Sequence, residues 1–230
     1  MTPFAGAVAI CLGLLTACSS THDRGVEGEG VGSAASAPDV NPEGVPYPSD
    51  NIGTGVRSRT KPGNRIANFK FLGYPNGDPS QSLQPISLAQ FYDPSGQRFQ
   101  LIHLQAAGVW CTACQAETKT VVPLASKLAE KKVVWLVSLA EGPTPNLPSR
   151  QNDLDTWIAR YKSPFTHFLD PNNANLGPFY DRSALPWNAN IDARTMEILT
   201  SGTGAAITQQ AILDEIDAAF KLADESKLAQ

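Results

Sequence analysis

The chain has 230 residues, 42% of them hydrophobic and 17% charged, with a formal net charge of −4 at pH 7. That balance argues against a nucleic-acid footprint, which needs a basic patch, and no internal repeat is visible. The length suits one domain with a proper core once a leader and a polar segment are set aside.

Residues 4–15 are an apolar stretch of signal-peptide length, too short to span a bilayer comfortably. The stretch ends in Leu15, Thr16, Ala17 and Cys18, followed by Ser19 and Ser20. That tetrapeptide resembles the bacterial lipobox, in which cleavage precedes the cysteine and its sulfur is lipidated. No Lys or Arg stands near Met1, so the n-region has only its α-amino charge. An ordinary secretory signal with an incidental cysteine is the plainer alternative. The lipobox implies a signal peptide at 1–17, a lipid on Cys18, and a protein anchored in the bacterial cell envelope facing the periplasm. Ser19 is compatible with the outer membrane. Cys11 then leaves with the signal and Cys18 is capped, so Cys111 and Cys114 remain as the free pair.

Residues 18–61 are rich in Gly, Ser, Pro, Asp and Glu and poor in large apolar residues. Such a stretch buries too little surface to offset its chain entropy and reads as a flexible tether. An ordered extension wrapping the domain is the alternative around residues 45–52. The folded domain is expected over 62–230.

Within it, residues 66–72 alternate as a strand, followed by turn chemistry at 73–79 and 93–96. Residues 99–107 form the next strand and run into Trp110 and Cys111-Thr112-Ala113-Cys114. A helix then continues towards Lys131, kinked at Pro123. The apolar run 133–139 suits a parallel strand covered on both faces. Residues 141–148 are a Pro-rich loop, and Asn152 or Asp153 can cap a helix carrying Leu154, Trp157, Ile158 and Tyr161 at helical spacing. Pro164 stops that helix, and 165–169 is a short strand. Residues 187–191 and 196–200 have hairpin spacing, and an amphipathic helix from Thr208 closes the chain. The order predicts an α/β domain with a mixed central sheet flanked by helices.

Two thiols separated by two residues can meet across one helical turn and close a small disulfide ring. The strand–helix junction puts the first at a helix N-terminus, where unpaired N–H groups and the macrodipole favour a thiolate. Cysteines so placed have pKa values lowered to roughly 3.5–7.5. Cys111 is therefore the expected attacking thiol, reachable at the domain surface, and Cys114 the resolving one. Zinc wants about four ligands, and the mature chain offers no second cysteine pair and only the scattered His22, His103 and His167. A structural disulfide is the other alternative, although so small a loop constrains the unfolded chain little. His103 and His167 lie in strands and read as core histidines.

The CxxC at a strand–helix junction, a later Leu185-Pro186-Trp187 before a hairpin, and the closing helix resemble the thioredoxin fold. More narrowly, Trp110, Cys111, Cys114 and Glu117 match the WCxxCxxE signature of exported, membrane-anchored thioredoxin-like proteins related to TlpA and ResA within the redoxin family. The match runs over about residues 62–223. The resemblance implies a redox disulfide Cys111–Cys114, a cis-proline at Pro186 beside it, and a tryptophan, Trp110, that covers it and meets substrates. Other members bury an acidic residue beneath the second cysteine; Gln105 takes that place here and cannot accept a proton at ordinary pH. Proton removal from Cys114 then falls to water or to Glu117, one turn away. Trp187 departs from the small residue usual after this proline, which suggests a differently shaped docking groove. Lys119 occupies the family's usual helix-proline position.

The resemblance thus implies a thiol–disulfide oxidoreductase acting on cysteines or disulfides of exported proteins, more readily as a reductant. Electrons would come from a membrane partner, and no dissociable cofactor, metal or nucleic acid is expected. A copper-holding metallochaperone and a redox-inactive binding domain are the competing classes. The chain lacks the CxxxC of Sco-type proteins and the Thr-x-x-Cys of peroxiredoxins.

Overall fold

Seven strands form one sheet in the order β2-β1-β5-β4-β3-β6-β7. In chain order they are β1 (Lys70–Tyr74), β2 (Gln84–Ser87), β3 (Leu101–Gly108), β4 (Val133–Glu141), β5 (Thr166–Leu169), β6 (Trp187–Asp192) and β7 (Glu197–Thr203). The helices are α1 (Thr112–Val121), α2 (Ala125–Glu130), α3 (Gln151–Tyr161) and α4 (Gln209–Asp224). This is a computed structural model, which describes residue 1, residues 33–54, residues 63–226 and residue 228. Cys11, Cys18 and with them the expected leader and lipidation site lie outside the described residues.

Strands β3, β4 and β5 run parallel, and β6 and β7 continue the sheet antiparallel beyond β3. On the other side β1 and β2 extend it, also antiparallel. Parallel β3, β4 and β5 need crossovers, and α1–α2 and α3 supply them on one face, where α4 joins them. Leu128, Leu154, Trp157, Ile158, Ile212 and Ile216 bury their apolar stripes there against Leu101, Val133, Val137, Leu139 and Leu199. Among the described residues the opposite face carries no α-helix and is closed by the 3₁₀ turns Leu88–Phe91, Pro171–Asn173 and Gly177–Phe179. Phe71, Phe168, Phe179 and Trp187 fill it.

The helix expected up to Lys131 is broken where Pro123 removes an amide donor: α1 ends at Val121, a 3₁₀ turn spans Val122–Leu124, and α2 follows. Helix α3 stops at Tyr161, with Lys162 left-handed (φ 50°) before Pro164. The first strand begins later than its alternation suggests. Ile66 donates its amide to the Met196 carbonyl outside the strand, and the ladder with β2 starts at Lys70.

Part of the stretch expected as a tether is laid on the domain. Asn41 donates to the Tyr92 carbonyl (3.1 Å), the Tyr47 hydroxyl to the Ile66 carbonyl (2.6 Å), and Ser87 to the Pro38 carbonyl (2.6 Å). Residues 33–54 thus attach through polar groups and the Tyr47–Tyr92 ring contact. The segment needs no core of its own because the domain supplies its partners.

Candidate active site

Strand β3 ends at Gly108, and the chain turns through Val109 and Trp110 into α1. The Val109 amide is held by the Glu141 carbonyl (2.9 Å), which ties this turn to the end of β4. Cys111 is the residue that caps α1, and its Sγ accepts from the Cys114 amide at 3.0 Å. One helical turn brings the two cysteines to a Cα–Cα distance of 5.3 Å, and they are joined by a disulfide. Cys111 keeps 2% of its surface exposed and Cys114 none, so the pair lies just beneath the surface rather than on it. Its rim is Val109, Trp110 and Ala113, all half-buried, and the exposed Thr112.

One turn beyond Cys114, α1 buries a carboxyl group. Glu117 is 1% exposed and is surrounded by donors from three separate parts of the chain. Gln105 Nε2 on β3 donates to Oε2. Asn188 Nδ2 on β6 lies 3.1 Å from both oxygens, and the Ala206 amide donates to Oε1 at 2.8 Å. Burial pushes the Glu117 pKa up to about 7, against the lowering effect of the Ala206, Asn188 and Gln105 donors; the charge of Glu215 raises it further. The group therefore changes protonation near neutrality, where a thiol proton acceptor is useful. Gln105 can serve both states. As placed it donates to the carboxylate, and its Oε1 is buried with no partner among the described residues. Turned over, that oxygen would accept from the carboxylic acid.

The rim has its own buried carboxylate, Glu141 at the end of β4. Its Oε2 accepts the Trp110 indole N–H (2.7 Å) and the Asn146 amide (2.9 Å), so one oxygen ties the tryptophan beside the disulfide to the β4–α3 loop. Gly108 lies where this rim closes most tightly. A Cβ there would stand 3.0 Å from Trp110 Nε1 and 3.2 Å from Leu185 Cδ1, contacts tighter than side chains normally make. The Leu185–Pro186 bond is cis. Trp187 points the other way. It is fully buried in the apolar face, stacked on Tyr180 at 5.6 Å and beside Phe179, so it does not line the rim as its position after Pro186 suggests. Alternation along β6 explains this, since its neighbour Asn188 takes the face that holds Glu117.

The structure therefore gathers Trp110, Cys111, Cys114, Gln105 and Glu117 along α1 and the strand beneath it, with Leu185 adjoining at Gly108 and Pro186 next to it in the chain. Asn188, Ala206 and Glu141 join them without any sequence signal that marks them. Glu141 ends an apolar run and reads as the start of a loop, and Asn188 reads only as one residue of a hairpin. Among the described residues no group of three His, Cys, Asp or Glu side chains is placed to hold a metal ion, and no helix is long and apolar enough to cross a membrane.

No protein-family model matches the chain, and no curated protein matches it in sequence. Solved structures do. A DsbF homologue from Corynebacterium diphtheriae is similar at TM-score 0.50 and 17% identity, over 71% of this chain and 90% of that one. A secreted thiol-disulfide isomerase from Corynebacterium glutamicum matches at TM-score 0.50 and 15% identity, over 74% and 90%. A hypothetical protein from Sinorhizobium meliloti matches at TM-score 0.52 and 13% identity, over 73% and 87%. At these identities the likeness is one of fold, and the fold is that of thioredoxin.

Proposed function

We propose that this chain is a thiol–disulfide oxidoreductase that exchanges electrons with cysteines of exported proteins. The observation that carries the reading is the closed Cys111–Cys114 disulfide capping α1, one turn above a buried carboxyl group that titrates near neutrality. In the reducing direction the thiolate of Cys111 attacks a substrate disulfide. A mixed disulfide forms and one substrate sulfur leaves as thiolate. Cys114 then attacks Cys111 Sγ, the intramolecular disulfide closes, and the second substrate sulfur leaves, so two electrons pass to the substrate. The Cys114 amide and the helix N-terminus favour the Cys111 thiolate. The Glu117 carboxylate takes the proton that Cys114 must lose, a role Gln105 cannot fill. One structural neighbour is named a secreted thiol-disulfide isomerase and another a DsbF homologue, in agreement with this reading.

Reduction is the preferred direction and a membrane partner the electron source, both from the WCxxCxxE resemblance. Cleavage before Cys18, lipid attachment there and a periplasm-facing envelope location rest on the lipobox-like sequence.

The test is turnover of insulin disulfides with dithiothreitol as donor. Activity is expected in the unaltered protein and lost in Cys111→Ser, with Cys114→Ser accumulating mixed disulfides. The reduction potential then sets direction, a value near about −270 mV suiting a reductant and one near about −120 mV an oxidant. Because Cys111 shows so little surface, failure of a small thiol to open the disulfide in the folded protein would sink the reading. Stoichiometric copper binding without disulfide turnover would replace it with metal carriage.

A further inference from the structure

Glu117 is backed by a second row of buried and half-buried polar side chains, and that row contains a histidine the thiol chemistry does not use. His103 stands on β3 on the same face as Gln105, 2% exposed and stacked on the Trp135 indole with ring centroids 3.6 Å apart. Its Nε2 lies 3.2 Å from Asn188 Oδ1 and its Nδ1 lies 2.9 Å from Asn190 Oδ1. Asn188 is the residue whose Nδ2 serves both Glu117 oxygens and the Gly204 carbonyl (2.9 Å), and Asn190 Nδ2 reaches the Thr200 hydroxyl at 3.0 Å. The result is one unbroken line: Thr200, Asn190, His103, Asn188, Glu117, Gln105.

Donor and acceptor arithmetic gives this line a direction. Burial pushes the His103 pKa down to about 4, against the raising effect of its Asn190 and Asn188 partners, so the ring is neutral near pH 7. A neutral imidazole has one N–H and one lone pair, so it cannot donate to two amide oxygens at once. Asn188 cannot turn over, because its Oδ1 would then face a carboxylate and a carbonyl oxygen. Nε2 must therefore carry the proton. Asn190 is the amide that can reverse without loss, giving Nδ2 to His103 Nδ1 and accepting the Thr200 hydroxyl on Oδ1. The other charged groups near the line come from α4 and its C-cap: Glu215 acts on Glu117, and Glu215, Lys221 and the capping Glu225 line a cavity of about 310 Å³ beside Asn190 and Thr200.

We propose that His103 is a positioning residue for the proton chemistry of Glu117: its Nε2–H satisfies Asn188 Oδ1 and so keeps that amide, already turned nitrogen-first by the carboxyl group and the Gly204 carbonyl, seated where it supports the Glu117 carboxylate. Its use in catalysis rests on the oxidoreductase reading, whereas the coupling itself does not.

The test begins on the unaltered protein. Nitrogen-15 spectra of the histidine side chains at pH 8 should show His103 neutral with the proton on Nε2; a proton on Nδ1, or an imidazolium, overturns the proposal. The second measurement follows the Glu117 side-chain carboxyl carbon, assigned by Glu117→Gln, through a pH titration. In His103→Phe, which keeps a flat ring against Trp135, the titration should move up by about one pH unit, the size of one hydrogen bond to a charged group. His103→Gln, which can donate to Asn188, should recover part of that shift. A displacement in folded His103→Phe of less than about a fifth of a unit also overturns the proposal. If the phenylalanine variant does not fold, the tautomer decides alone. Neither readout needs turnover, so a protein with the coupling but no disulfide exchange would refute the functional reading and leave this one standing.

Discussion

The two faces of β3 and β6 are both largely buried, yet between Leu101 and Ala107 they are built from opposite materials. Towards the turn-covered side these strands present Ile102, Leu104, Ala106, Trp187, Ala189 and Ile191, an apolar set. Towards the helices they present His103, Gln105, Asn188 and Asn190, alternating with the first set along the same backbone. A buried amide or imidazole costs free energy unless its hydrogen bonds are made, and here His103, Asn188 and Asn190 make theirs with one another and with Glu117. The apolar face could be copied on the helical side at lower risk to stability. The polar face is better understood as the environment of one carboxyl group beneath a disulfide.

The largest expected effect lies on the apolar side. Trp187→Ala removes a fully buried indole stacked on Tyr180 and packed against Phe179, and should cost about 3–5 kcal/mol in urea denaturation. It should leave the pH dependence of stability alone near neutrality, since the titratable group it stacks on, Tyr180, is pushed by burial above an ordinary value of 10.0. A cost under about 1 kcal/mol would mean that this face is not the packed core described here.

The polar side should answer to pH instead. The Glu117 pKa is raised in the fold to about 7 from 4.5, so the folded state holds a proton that the unfolded state releases. Its contribution is full below pH 4.5 and declines as pH rises to about 7, by roughly 3 kcal/mol at most. His103 and His167 act with the opposite sign. Both are lowered by burial to about 4 from 6.5, so their contribution is full above pH 6.5 and is lost as pH falls towards 4. Where the two windows overlap, from pH 4.5 to 6.5, the histidines and Glu117 oppose each other. Glu117→Gln should therefore steepen the acid limb, remove the decline towards pH 7, and raise stability at pH 8. The amide introduced by that substitution can still accept from the Ala206 N–H and donate to a reversed Gln105. Denaturation midpoints at half-unit steps from pH 4 to 8 measure this, and an unchanged profile would remove Glu117 from the titrating groups.

How much of this contrast is legible in the chain depends on range. The strand–helix junction at Cys111, the hairpin β6–β7 and the stripe of α4 are patterns of neighbours, and the sequence carries them openly. His103 reads as a core histidine and is one, but what it bonds to is contributed by β6, some 85–87 residues away. The Glu117 partners Asn188 and Ala206 are 71 and 89 residues distant, so no local spacing marks them. Trp187 departs from expectation for a related reason. Its position after Pro186 suggests the rim, whereas the pleat of β6, which pairs Asn188 with Gln105, turns the indole to the opposite face. The extension at 33–54 reads as a tether from its poverty in apolar residues, a sound argument against a core and no argument against docking through backbone and side-chain polar groups.

Glu141 gives the smallest effect and the sharpest test of where the polar face ends. It is buried like Glu117, but its donors are the Trp110 indole and the Asn146 amide, both on one oxygen and both at the rim. Glu141→Gln keeps an acceptor oxygen for these two donors and should change stability by less than about 1 kcal/mol, whereas Glu141→Ala orphans both and should cost about 1–2 kcal/mol. The two carboxyl groups should also differ in what they move. Loss of Glu117 alters the pH profile, while loss of Glu141 should release Trp110 and the loop, seen as a shift in tryptophan emission and faster opening of the disulfide by dithiothreitol. If Glu141→Ala leaves both of those unchanged, the tryptophan is held by packing against Leu185 and Gly108 alone, and the rim is independent of the loop that follows β4.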